Sequence, residues 1–128
     1  MSKIRILLIE DNRLLREGVT AMINGQPDMK VVAASGGNDN TVLKARTVRP
    51  RVILSDLGLR GQSGVRIVRS VSKELSEMKV IGMGLIPTQL DIVEFVQAGA
   101  SGFILKDATI ADYLGTVRSV EGKFFRPH

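Results

Sequence analysis

The chain predicts an α/β fold: a five-stranded parallel sheet covered on both faces by helices. Three observations carry that expectation. Five short apolar runs, IRILLI (4–9), KVVAAS (30–35), RVILS (51–55), KVIGMGL (79–85) and GFIL (102–105), are rich in Ile, Val and Leu and mostly lack polar alternation. Strands buried on both faces read this way. Longer amphipathic segments separate them, giving the order βαβαβαβαβα, and right-handed crossovers then place helices on both sides of the sheet. Charged residues close several of the runs: Glu10 and Asp11, Asp56, and Lys106.

The helical segments follow from spacing and punctuation. Over 13–24, Leu14, Leu15, Gly18, Val19, Met22 and Ile23 recur at helical intervals; Asn12 is placed to cap the start, and Gly25 with Pro27 to stop it. Over 38–48, Val42, Leu43, Ala45 and Val48 recur before Pro50. Over 64–75, the stripe is Val65, Ile67, Val68, Val71 and Leu75. Over 88–98 it is Leu90, Ile92, Val93, Phe95 and Val96, with Thr88 as cap. Over 109–121 it is Ile110, Tyr113, Leu114, Val117 and Val120, with Thr109 as cap. The expected strand order is the flavodoxin-like 2-1-3-4-5, which sets the first strand beside the third and brings Glu10 and Asp11 next to Asp56. Lys106 then reaches in from an edge strand.

Composition excludes several functions. The chain has 128 residues, 44% hydrophobic and 24% charged, enough for one domain with a real core. With no Cys, disulfides, thiolate zinc sites and cysteine nucleophiles are ruled out. The single His is His128, so a Ser-His-Asp triad or multi-histidine metal site is not expected. The N-terminal run is too short for a signal peptide's apolar region, and no stretch approaches the roughly 20 residues that span a bilayer. The expected location is the cytoplasm, with no membrane partner. The net charge of +5 is concentrated at Lys44, Arg46, Arg49 and Arg51 and at Arg60, Arg66, Arg69 and Lys73. Without interleaved aromatics these read as solvated helix faces rather than a nucleic-acid surface.

At the carboxyl edge, three carboxylates and one ammonium suit a hard divalent cation and a phosphoryl group. Magnesium prefers oxygen ligands and keeps several waters. Asp11 and Asp56 offer carboxylate oxygens, the Gly58 backbone carbonyl a third, and Glu10 can hold a water of the metal's shell. Asp56, placed centrally, is the candidate nucleophile toward an activated phosphoryl group, and Lys106 the phosphate contact. The loop after the first strand, EDNR, would repel a flavin phosphate, and the acid spacing does not fit an aspartate-based phosphatase.

The motifs LLIEDN (7–12), VILSDLGLRGQSG (52–64) and AGASGFILKD (98–107) are specific as a set, and through them the chain resembles the receiver domain of two-component response regulators. The resemblance covers nearly the whole chain. It implies a phosphoacceptor signalling domain, not a turnover enzyme: Asp56 accepts a phosphoryl group from a sensor histidine kinase, Glu10, Asp11 and Asp56 hold Mg2+, Lys106 contacts the phosphate, and Phe103 is the switch aromatic. The KD ending and final segment look like receivers that precede a helix-turn-helix DNA-binding domain. Accordingly, 1–121 is expected to be the receiver and 122–128, with Phe124 and Phe125, a tail or the start of a linker, with DNA reached only through an output domain outside this chain. A homodimer through Leu15, Val19, Tyr113 and Val117 is a further expectation.

Three positions depart from the family pattern. Gly84 stands where the family has a Ser or Thr hydroxyl at the end of the fourth strand, Arg60 where it usually has Pro, and Leu85 where a small residue is common. They support an alternative: a pseudo-receiver, the same fold used as a phosphorylation-independent protein-interaction module.

Overall fold

The computed structural model describes residues 3–37, 40–56, 64–85 and 89–122, with the backbone alone for residues 85 and 89–92. The elements are β1 (Ile4–Ile9), α1 (Arg13–Asn24), β2 (Met29–Ser35), α2 (Thr41–Val48), β3 (Val52–Asp56), α3 (Gly64–Glu74), β4 (Lys79–Leu85), α4 (Gln89–Ala98), β5 (Gly102–Leu105) and α5 (Ile110–Val120). The five strands form one sheet in the order β2-β1-β3-β4-β5, every pair parallel. The expected α/β architecture and strand order are both present.

The two faces of the sheet form separate cores. On one, Leu7, Ile9 and Ile53 pack against Ala45 of α2, Ile67, Val68 and Val71 of α3, and Phe95 of α4. On the other, Ile6, Leu8, Leu54 and Met83 pack against Ile23 of α1 and Leu114 and Val117 of α5. Alternate residues of β1 therefore serve opposite cores, which is why the run shows no polar alternation. Burying one such Leu or Ile contributes roughly 1.5–3 kcal/mol.

Local chemistry fixes where the helices begin. Asn12 caps α1 by accepting from the Leu15 amide at 3.1 Å. Thr109 and Asp112 form a reciprocal capping box on α5, at 3.1 and 2.9 Å. α2 starts at Thr41 rather than at 38, because Asn40 accepts from the Leu43 amide at 3.0 Å. It ends at Val48, and the capping Arg49 turns left-handed at φ 51° before Pro50, where a following proline disfavours continued helix.

Of the four dimer candidates, Val117 is buried, and Val19 and Tyr113 pack against the core; Leu15 alone is largely exposed. The expected α1–α5 stripe is thus mostly the contact of these helices with the sheet. No helix among the described residues is long and apolar enough to cross a membrane.

Candidate phosphoacceptor site

The carboxyl ends of β1 and β3 meet because these strands are neighbours in register, with Ile9 beside Ser55. Glu10 and Asp56 each follow one of those residues, and their side chains are close enough to interact. Glu10 is buried, with 6% of its surface exposed. Asp56 is partly exposed, so the acidic pair has one sheltered and one accessible member.

Glu10 is held from two sides. Its carboxylate accepts from the Asn12 amide at 3.0 Å, and its carbonyl accepts from the Arg16 guanidinium at 2.8 Å. Burial pushes the Glu10 carboxyl above its ordinary range; the Asn12 amide opposes this, and the charges of Asp56 and Asp11 add to it. Crowded carboxylates of this kind are relieved by a cation.

Asp11 is oriented by a different element. Its Oδ1 accepts from the Gly37 amide, in the loop after β2, at 2.6 Å. A Cβ on Gly36 would lie 3.0 Å from the same oxygen, a tight contact that the bare backbone avoids.

On the far side of Asp56, a Cβ on Gly84 would stand 2.7 Å from Asp56 Oδ1. Lys106 directly follows β5, two strands from Asp56, exposed and paired with no carboxylate among the described residues. Phe103 packs edge-on against Phe95 of α4, with ring centroids 6.3 Å apart. Gly58, Arg60 and Thr88 lie outside the described residues, as do Phe124 and Phe125 and the side chain of Leu85.

Sequence reasoning missed three contributors. Arg16 and Gly37 act through hydrogen bonds that no motif announces. Tyr113, read from its spacing as a helix-stripe residue, lies close enough to the acidic pair to feel it: burial raises its phenol, and the charges of Glu10 and Asp56 raise it further.

Among the described residues no group of three or more His, Cys, Asp or Glu side chains closes into a metal cage. The donor set nevertheless fits a hard cation: all oxygen, two carboxylates in contact, one of them destabilised in its charged form by burial and like charge. Magnesium requires no more than one or two protein carboxylates, since it retains much of its water.

The chain is similar in sequence and fold to known proteins. The transcriptional regulatory protein LiaR of Bacillus subtilis is 30% identical over 116 residues, 91% of this chain and 55% of that protein. The transcriptional regulatory protein DegU of Brevibacillus brevis is 28% identical over 98% of this chain and 54% of its own length. The chain thus spans about half the length of these curated relatives. Among solved structures, a LuxR-family two-component response regulator from Aurantimonas sp. superposes with a TM-score of 0.88 at 24% identity, covering 95% of this chain and 88% of that one. The response regulator ChrA of a heme-sensing two-component system gives 0.73 at 27% identity, over 99% and 62%. The family model of the response regulator receiver domain matches residues 6–118, and the chain belongs to that family.

Proposed function

We propose that Asp56 accepts a phosphoryl group from the phosphohistidine of a sensor histidine kinase, in a Mg2+-dependent reaction, and that the modified domain regulates transcription through a DNA-binding domain of a longer protein. The observation that carries this reading is the Glu10–Asp56 pair at the carboxyl edge, one carboxylate sheltered and the other accessible. Asp56, Asp11 and the Gly58 carbonyl are the groups to hold the ion, with Glu10 behind them. Bound magnesium would neutralise charge on the transferring oxygens.

The residues divide the chemistry. One Asp56 oxygen forms a bond to phosphorus as the donor's P–N bond breaks, and the electron pair stays on the imidazole nitrogen. Glu10, held by Asn12 and Arg16, keeps a fixed negative wall behind the acceptor. Lys106, an exposed cation at the same edge, is free to turn toward the incoming phosphoryl oxygens. Leu14 and Leu15 at the start of α1 and Ile110 at the start of α5 are 78%, 54% and 63% exposed. Both helices begin at this edge, so an apolar rim borders the acidic pair, which suits a protein donor. The output reading rests on the relatives being transcriptional regulators of about twice this length.

The test is intact mass spectrometry after incubation with Mg2+ and acetyl phosphate. The unmodified chain is expected to gain one phosphoryl group and Asp56→Asn none. No gain by folded protein would overturn the proposal.

A further inference from the structure

β4 keeps unbroken register with β3 as far as Asp56 beside Met83. Its register with β5 breaks at one residue: Met83 lies beside Ile104 and Leu85 beside Leu105, leaving Gly84 as the extra residue of a bulge. Gly84 has φ +76°, in the left-handed region. That conformation suits glycine; for a β-branched residue such as threonine it is an outlier.

The bulge also has a neighbour. Ordinary van der Waals contact for a Cβ begins at 3.4 Å, and a Cβ on Gly84 would be 2.7 Å from Asp56 Oδ1. Backbone conformation therefore disfavours a side chain here, and the space admits one only if the Asp56 carboxylate moves. A position that had simply lost a hydroxyl from an ordinary strand would show neither.

We infer that Gly84 is a positioning residue for the Asp56 carboxylate, its bulged backbone closing the β4 side of the acceptor where the family pattern has a hydroxyl. This rests on reading Asp56 as the acceptor, and it goes further. The backbone and the side chain have changed together, so putting the hydroxyl back does not restore the family's geometry. A Ser or Thr at 84 must either displace the Asp56 carboxylate or unmake the bulge by which β4 meets β5. The alternative, a gap left by a missing hydroxyl, makes the opposite claim: that Ser or Thr improves phosphoryl uptake or retention.

Two measurements decide between them, both on the full chain. In the first, Gly84→Ala, Gly84→Ser and Gly84→Thr are phosphorylated with acetyl phosphate and Mg2+ and followed by intact mass. Each is expected to react about tenfold more slowly than the unmodified chain, Thr slowest, because the new side chain displaces the Asp56 carboxylate from its attacking position. A Ser or Thr variant that reacts as fast, or holds its phosphoryl group longer, would overturn the inference.

The second measurement does not depend on phosphorylation. Gly84→Ala is made in the native and in the Asp56→Ala background, and urea midpoints are compared as a double-mutant cycle. The midpoint is expected to fall clearly further when the Asp56 carboxylate is present. Equal shifts, or failure of Gly84→Ala to fold in both backgrounds, would assign Gly84 to the sheet alone and contradict its role toward Asp56. If the unmodified chain takes no phosphoryl group, the acceptor reading fails, while the cycle still decides the positioning.

Discussion

The carboxyl edge of the sheet is built differently at its β1 and β4 ends. At β1 the acids are held by donors: the Asn12 amide on Glu10, the Arg16 guanidinium on the Glu10 carbonyl, and the Gly37 amide on Asp11, at 3.0, 2.8 and 2.6 Å. At β4, Asp56 meets a bare backbone, and what matters is the atom that is not there. A hydrogen-bonded arrangement degrades in steps, because each bond to or from an ionised group contributes about 1.5–3 kcal/mol and the others remain when one is lost. A steric arrangement has a single step: one added Cβ brings about 1–3 kcal/mol of overpacking, and backbone strain at a left-handed residue adds to it. The two ends of one site should therefore answer mutation on different scales.

The largest effect belongs to the β4 end, with Gly84→Thr the most damaging of the series described above. Next is Gly36→Ala at the β1 end. Its new Cβ would sit 3.0 Å from Asp11 Oδ1, a contact that a few tenths of an ångström relieves. Mg2+ affinity by calorimetry is expected to fall about threefold, with little change in urea midpoint. A loss as large as that of Gly84→Ala would erase the distinction between the two ends.

The smallest effect lies away from the site, on the α1–α5 face. Arg118 grips both oxygens of Asp28, at 2.7 and 2.9 Å, and Gln26 at 3.1 Å. The hydrogen bonds from Arg118 hold the Asp28 carboxyl below its ordinary 3.8. The folded state thus binds fewer protons than the unfolded chain in the window below that value. The stabilisation is complete above it and is lost as pH falls through the lowered folded pKa. The pair is partly solvated, so Arg118→Ala should cost no more than about 1 kcal/mol at neutral pH. The difference from the unmodified chain should shrink in acid, as urea melts at neutral and acid pH would show.

Much of this fold was legible because its signals are local. Five apolar runs, the Asn12 and Thr109 caps and the acids at the ends of β1 and β3 lie within short windows of sequence. What was not legible depends on register and distance. The bulge at Gly84 arises from how β4 meets β5, and in sequence the residue reads only as a missing hydroxyl. Asp11 meets Gly37 across 26 residues. Leu14 and Leu15 fit the helical stripe of α1, yet both face solvent, because Val19, Met22 and Ile23 supply that helix's contact with the sheet. Tyr113 fits the helical stripe of α5 in sequence, and its closeness to the acidic pair follows from where α5 lies on the sheet.

The most direct test of the account follows the backbone amides of Gly84 and Phe103 by NMR while Mg2+ and beryllofluoride are added. If Asp56 is the acceptor and the Gly84 bulge its wall, the Gly84 amide shifts on saturation, Phe103 responds beyond it, and neither moves in Asp56→Asn. Spectra of the folded chain that stay unchanged at saturating Mg2+ and beryllofluoride would contradict it.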